Sequence, residues 1–290
     1  MIRFDFLEKR SAMNTIHISK DSRYIFFYYL FVFALWTFFA VTRGANANGN
    51  ITLGGALYQF ALGLIPLFGG IFGLSKAKAW GWLRSYVGRT VTFISVGAIC
   101  WGVGQMFWSL YYNILTNVAI PYPSLADVGY SLSFPFLALG LISLSKATGA
   151  RFSLKHPLGK LLALLITIVA IGLGYYLLIV VARGGVIDFT EGGLKLFFDL
   201  AYPLGDLVIF LSSALIYGLS FNYLGGRYKI PILSILFGLL VLFFGDFTFS
   251  YTTTVGTYYN GHWVDLVLPT AWMFIVFGIN SFDAKEPNSV

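Results

Sequence analysis

The sequence predicts an all-α integral membrane protein with eight transmembrane helices, built as two tandem four-helix repeats with both termini in the cytoplasm. Three observations carry this reading. Hydrophobic residues make up 58% of the 290 positions and charged residues only 11%, and the mean hydropathy is +0.78, far from the composition of a soluble domain. Eight apolar stretches are long enough, or nearly so, to cross the ~30 Å of bilayer hydrocarbon: 23–43, 52–74, 90–116, 122–145, 158–182, 194–219, 230–254 and 262–281. The second half of the chain also repeats the polar pattern of the first. Almost nothing is left for a soluble domain, so function is expected in the bundle, its short loops or a partner protein.

The first segment, 1–22, mixes Arg3, Lys9 and Arg10 with Asp5 and Glu8 and has no long apolar run. No small-residue cleavage site follows the first span, which therefore reads as a retained helix and not a signal peptide. The first repeat then occupies 23–145, a cytoplasmic linker 146–157, the second repeat 158–281 and a cytoplasmic tail 282–290.

The net charge of +7 is a topology signal and does not indicate a nucleic-acid partner. Sixteen of the 19 basic residues fall on one side of the eight spans, and only Arg43, Arg183 and Lys195 on the other. The excess of Lys and Arg in cytoplasmic loops places both termini inside. The expected partners are the lipid bilayer of the cytoplasmic membrane and a cytoplasmic or membrane signalling protein. Cys100, alone of its kind and set in an apolar run, rules out an intrachain disulfide or a cysteine metal cluster and reads as a packing residue.

The duplication is visible in offsets. Val41-Thr42-Arg43-Gly44 and Val181-Ala182-Arg183-Gly184 close the first and fifth spans 140 residues apart, and the same offset sets Gln59 against Asp199. Near the third and seventh spans Gly104-Gln105 matches Gly245-Asp246 at 141, and at the fourth and eighth Asp127 matches Asp265 at 138. Two units in the same orientation, related by an axis along the membrane normal, account for this. The second unit is the more acidic one.

The most distinctive stretch is Phe198-Asp199-Leu200-Ala201-Tyr202-Pro203-Leu204-Gly205-Asp206. Asp199 and Asp206 share one helix face ~10 Å apart along the axis, with Tyr202 between them. A carboxylate at membrane depth costs roughly 2.5–3.5 kcal/mol on insertion scales and so marks a functional site by default. With the topology above, Asp127, Asp199, Asp206, Asp246 and Asp265 all fall in the outer half or near the middle. Together with Tyr202 they are the candidate ligand-binding residues. Asp206 and Asp246 lie deepest and are expected to be neutral or to share a proton at pH 7.

Each of these signals also has a plainer explanation. Asp127 and Asp265 open helices, where an aspartate serves as a cap or dipole partner. Pro203 and Pro269 free the carbonyls of Asp199 and Asp265, and neighbouring side chains commonly satisfy such groups. Outer-end aromatics such as Tyr111, Tyr112, Tyr258, Tyr259 and Trp263 fit an interfacial belt, although a ring of tyrosines about the acids would suit a pocket. Gly69 and Gly73 suggest close helix packing.

No phosphate loop, His-Glu-x-x-His or Gly-x-Ser-x-Gly is present. No histidine lies at haem-ligand depth and no span interior holds a Schiff-base lysine. The sequence names no cofactor and no metal.

Pro121-Tyr122-Pro123-Ser124-Leu125-Ala126-Asp127-Val128-Gly129-Tyr130, continuing through Phe134-Pro135-Phe136 to Leu139-Gly140-Leu141, resembles a recurring segment of bacterial signalling proteins. That segment lies in the multi-span N-terminal region of some diguanylate cyclases, phosphodiesterases and histidine kinases. Ala201-Tyr202-Pro203-Leu204-Gly205-Asp206 is similar to a second segment of the same regions. The resemblance implies a membrane-embedded sensory module of a bacterial inner membrane, with Asp127, Asp199 and Asp206 at motif positions. Residues 282–290 leave no room for a cyclase or kinase, so a stand-alone input module is expected.

A looser resemblance is to lysoplasmalogenase-type membrane hydrolases. Gly245-Asp246 fits that pattern, while Gln105 stands where a second carboxylate belongs and span four lacks a histidine.

Three functions follow as expectations. A sensory or ligand- or ion-binding bundle, not an enzyme, predicts a polar pocket in the outer half, on the second repeat, over a closed cytoplasmic side. An aspartate-dependent hydrolase using Asp199, Asp206 and Asp246 to activate a water directly or through a metal predicts two of those carboxylates close enough to share a water or a metal. A small-solute or proton-coupled transporter predicts two repeats rocking about a midplane site.

Overall fold

A computed structural model of the chain describes residues 19–42, 52–116, 120–181, 184–185, 192–220 and 228–282. Eight long helices run through them: α1 Lys20–Thr42, α2 Leu53–Ala79, α3 Tyr86–Met106, α4 Leu125–Ala147, α5 Pro157–Tyr175, α6 Gly193–Ser220, α7 Lys229–Thr254 and α8 Val264–Asn280. α3 and α5 continue as wider π-helical turns over Phe107–Thr116 and Tyr176–Val181. No strand occurs among the described residues. Seven helices are long and apolar enough to cross a membrane, and α8 is a shorter apolar helix of 17 residues. The protein is a polytopic helical membrane protein.

The helices follow the expected spans closely. The main departures are α2, which ends at Ala79 and not 74, and α3, which begins at Tyr86 and not 90. Both have local causes. Lys76 and Lys78 sit in the last turn of α2, where cations complement the helix dipole. The Ser85 hydroxyl caps α3 by accepting the Gly88 N–H at 2.9 Å, one turn before the apolar run.

Six helices close a ring in the order α2, α3, α4, α6, α7, α8, with α8 returning to α2. α1 lies outside against α2 and α8, and α5 outside against α6. These two outer helices bury the smallest share of their spans, 11% and 17%, so their Phe and Leu side chains face the surroundings as lipid would require.

One end of the bundle carries Lys20, Lys76, Lys78, Arg84, Lys155 and Lys229. Here the Ser19 hydroxyl donates to the Asn280 carbonyl at 2.7 Å, and Lys76 pairs with Asp21 at 2.8 Å. This basic end is solid: Ile94, Leu137, Ile235, Leu239, Ile275 and Ile279 are wholly buried. The opposite end, toward Asp127 and Asp265, is hollow.

Glycine sets two of the contacts. A Cβ on Gly129 would stand 2.6 Å from the Gly104 backbone, so α3 and α4 touch main chain to main chain. Gly129→Ala is therefore expected to lower the thermal midpoint, at a cost of about 1–3 kcal/mol typical of overpacking. An unchanged melting curve in detergent would contradict this. Gly69 likewise lets α8 approach, since a Cβ there would meet Val276 at 2.5 Å, the close packing expected of the Gly69/Gly73 pair. Cys100 is a free thiol and only partly buried.

Arg43 and Arg183, the matched Arg-Gly positions, lie outside the described residues, as do 1–18 of the N-terminal segment and 283–290 of the tail.

Candidate ligand-binding cavity

The hollow end contains a cavity of about 760 Å³. All six candidate residues, Asp127, Asp199, Tyr202, Asp206, Asp246 and Asp265, line it. It opens past Tyr122, Thr253 and Thr254, which are exposed at the rim. Trp101 lines it on the inner side, backed by Trp272 with ring centroids 5.3 Å apart.

The cavity does not belong to the second half alone, where the site was expected. Gln59, Trp101, Gln105, Asp127 and Tyr130 of the first half form much of its wall. The physical reason is the α4–α6 crossing. Gly205 has no side chain to keep the Phe134 ring away, and a Cβ there would lie 2.5 Å from that ring. α4 thereby brings Asp127 against Tyr202.

Tyrosine hydroxyls hold the acids at the rim. Tyr202 donates to Asp127 Oδ1 at 2.6 Å, Tyr122 to Asp199 Oδ1 at 2.8 Å, and Tyr258 to Asp265 Oδ1 at 2.8 Å. Burial, then the neighbouring Asp265 charge and the hydrogen bond to it, push the Tyr258 hydroxyl well above its ordinary pKa, so it remains a donor.

The plainer readings of Asp127 and Asp265 also hold, for the other oxygen of each. Asp127 Oδ2 accepts from the Ser124 N–H at 2.7 Å and its hydroxyl at 2.8 Å. Asp265 Oδ2 accepts the Gly261 N–H at 2.6 Å. One oxygen thus secures the helix start and the other takes a tyrosine, at both positions. The Asp265 carbonyl freed by Pro269 is satisfied by the Tyr58 hydroxyl at 2.8 Å, a helix-to-helix bond of the bland kind.

Deeper in, the carboxyl groups of Asp206 on α6 and Asp246 on α7 are within hydrogen-bonding reach of one another. Two ionised carboxylates are acceptors only, so a bond between them requires one shared proton. One turn farther toward the basic end, Phe210 and Phe243 stack at 4.4 Å between the same helices. Across the cavity an amide pair replaces acids: Gln105 Nε2 donates to Gln59 Oε1 at 3.1 Å, and Tyr130 donates to Gln105 Oε1 at 2.6 Å. Gln59 and Gln105 are the residues that the sequence offsets set against Asp199 and Asp246.

Lys195 lines the cavity. His262 instead packs among Tyr258, Tyr259 and Trp263. Among the described residues no group of three or more His, Cys, Asp or Glu side chains is placed to hold a metal ion.

Sequence reasoning missed Tyr122 and Tyr130 as polar partners and Trp101 and Trp108 as wall residues. Tyr122 and Tyr130 stand beside Asp127 in the Pro121–Tyr130 segment, which was the available signal. The tryptophans gave none, since aromatic residues are frequent throughout.

Comparison with protein-family models, curated proteins and solved structures finds no match for the chain.

Proposed function

We propose that the protein is a membrane-embedded sensory module that binds a small ligand in this cavity from outside the cytoplasmic membrane. It would signal through its cytoplasmic loops or a membrane partner. The observation that carries the reading is the convergence of five carboxyl groups on a cavity open at one end of the bundle, above a packed apolar half. Its volume falls in the ~300–1,000 Å³ range of small-molecule sites.

The side assignment rests on charge. Among the described residues the lysines and arginines other than Lys195 gather at the end opposite the cavity, which the positive-inside rule places in the cytoplasm. The tandem duplication is supported by the ring, in which α4–α6 and α8–α2 contacts correspond, and by the matching roles of Asp127 and Asp265.

A cysteine experiment tests the reading. In a Cys100→Ser background, Ser250→Cys, which lines the cavity, is expected to react with a membrane-impermeant maleimide added to whole cells. Ser234→Cys should not react, since Ser234 is buried near the basic end and bonded to the Phe274 carbonyl at 2.7 Å. The reverse pattern would overturn the outward-facing cavity.

One observation favours a second reading, an intramembrane aspartate-dependent hydrolase. The Asp206–Asp246 contact has the form of an acid–base dyad able to activate a water. It predicts turnover of an ether- or ester-linked lysophospholipid that stops in Asp206→Asn and Asp246→Asn. Equal background rates in wild type and both variants would end it.

A further inference from the structure

We propose that the cavity takes a small organic cation, a protonated amine bearing a flat apolar group, whose ammonium replaces the proton between Asp206 and Asp246. This rests on the ligand-binding reading above and names its ligand class.

Charge is the first argument. Five carboxyl groups line the cavity against one lysine, Lys195, among the described residues. Even with one proton shared by the deep pair, an entering anion meets net repulsion, strengthened by the low dielectric of the surroundings.

Shape and wall chemistry come second. Trp101, Trp108, Tyr130, Phe134 and Phe249 supply aromatic surface on several sides, and aromatic faces attract cations through the ring quadrupole. A bare metal ion would use none of that surface and, among the described residues, finds no cluster of three ligating side chains.

Hydrogen bonding is third. The rim acids are engaged by tyrosine hydroxyls, whereas the deep pair meet each other through a shared proton. An alkylammonium has three donors and can bridge both carboxylates once that proton leaves. The exchange balances without covalent chemistry: one ammonium enters, both carboxylates become ionised, and one proton passes to solvent.

Binding should therefore strengthen as pH rises and weaken as pH falls, because proton and ammonium compete for one place. The titratable groups around the pair are limited. Tyr202, Asp199 and Lys195 lie on α6 itself, and Asp127 and Tyr130 on α4. Asp265 faces from α8, with Tyr258 before it and Tyr122 at the rim. From α2, α3 and α5 the wall receives Gln59, Trp101, Gln105, Trp108 and Leu178, none of which titrates.

The test uses full-length Cys100→Ser/Ser250→Cys protein in nanodiscs, with benzylamine, benzyl alcohol and benzoate as matched cationic, neutral and anionic probes. Benzylamine is expected to slow maleimide labelling at concentrations about tenfold lower than benzyl alcohol, as a charge-assisted hydrogen bond implies, and benzoate to give no protection. Calorimetry in two buffers of different ionisation enthalpy should show release of about one proton per benzylamine bound, falling to near zero in Asp246→Asn.

Equal protection by benzyl alcohol, benzoate or sodium chloride would overturn the cation assignment while leaving a ligand cavity in place. Labelling that none of the probes slows would overturn it as well. Failure of Ser250→Cys to label at all, with no probe present, would instead remove the underlying cavity reading.

Discussion

Infrared spectra of the purified protein at neutral pH are expected to contain a protonated-carboxyl stretching band that disappears in Asp206→Asn and equally in Asp246→Asn. The expectation comes from the contact between the two carboxyl groups, since two carboxylates are acceptors only and bond to each other through a shared proton. The band belongs to the pair and not to either residue, so either replacement should remove it whole. Asparagine can donate to the remaining carboxylate, so both variants should fold. Asp246→Ala differs, because it leaves the buried Asp206 without this partner and should cost about 1–3 kcal/mol in thermal stability. A band that survives both asparagine variants, or is absent from the wild type, would show that the pair does not share a proton.

The largest stability effect is expected at Trp272. Its side chain is wholly buried and backs Trp101 on the inner side of the cavity. Trp272→Ala removes an entire aromatic ring from a packed site, which typically costs about 3–5 kcal/mol. The thermal midpoint should fall steeply. Trp272→Phe should be far milder, because Trp272 Nε1 has no hydrogen-bond partner among the described residues, and removing an unpaired buried donor recovers about 1–3 kcal/mol. Equal melting of the two variants would contradict the assignment of Trp272 as a packing residue.

The spans were legible because each is written some twenty times over. No single residue decides an apolar run, and the errors fell at ends such as Ala79 and Tyr86, where caps and lysines set the boundary. The acids were legible for the opposite reason: Asp206 and Asp246 cost too much in an apolar helix to be incidental. Neighbourhood was not legible. Lipid-facing and core-facing surfaces are both apolar, so periodicity separates them poorly, and nothing along the chain says that α4 lies against α6. The pairing of Tyr202 with Asp127 spans 75 residues, and that of Tyr58 with the Asp265 carbonyl spans 207. Placing the site within the second half followed from counting charges. The uncharged wall of the first half, Gln59 and Gln105 included, carried no comparable signal.

Three of the tyrosine bonds join the halves of the chain: Tyr58 to the Asp265 carbonyl, Tyr122 to Asp199, and Tyr202 to Asp127. They work as stitches across a seam. Any motion that parts the halves at the hollow end must break them, while the solid basic end gives the parting bodies a fulcrum. At an average of about 0.6 kcal/mol per polar contact in a membrane interior, these three bonds contribute roughly 1.8 kcal/mol, a factor of about twenty in an equilibrium, beside the helix packing across the seam. A ligand that bound better with these bonds broken would have to supply at least that difference in affinity.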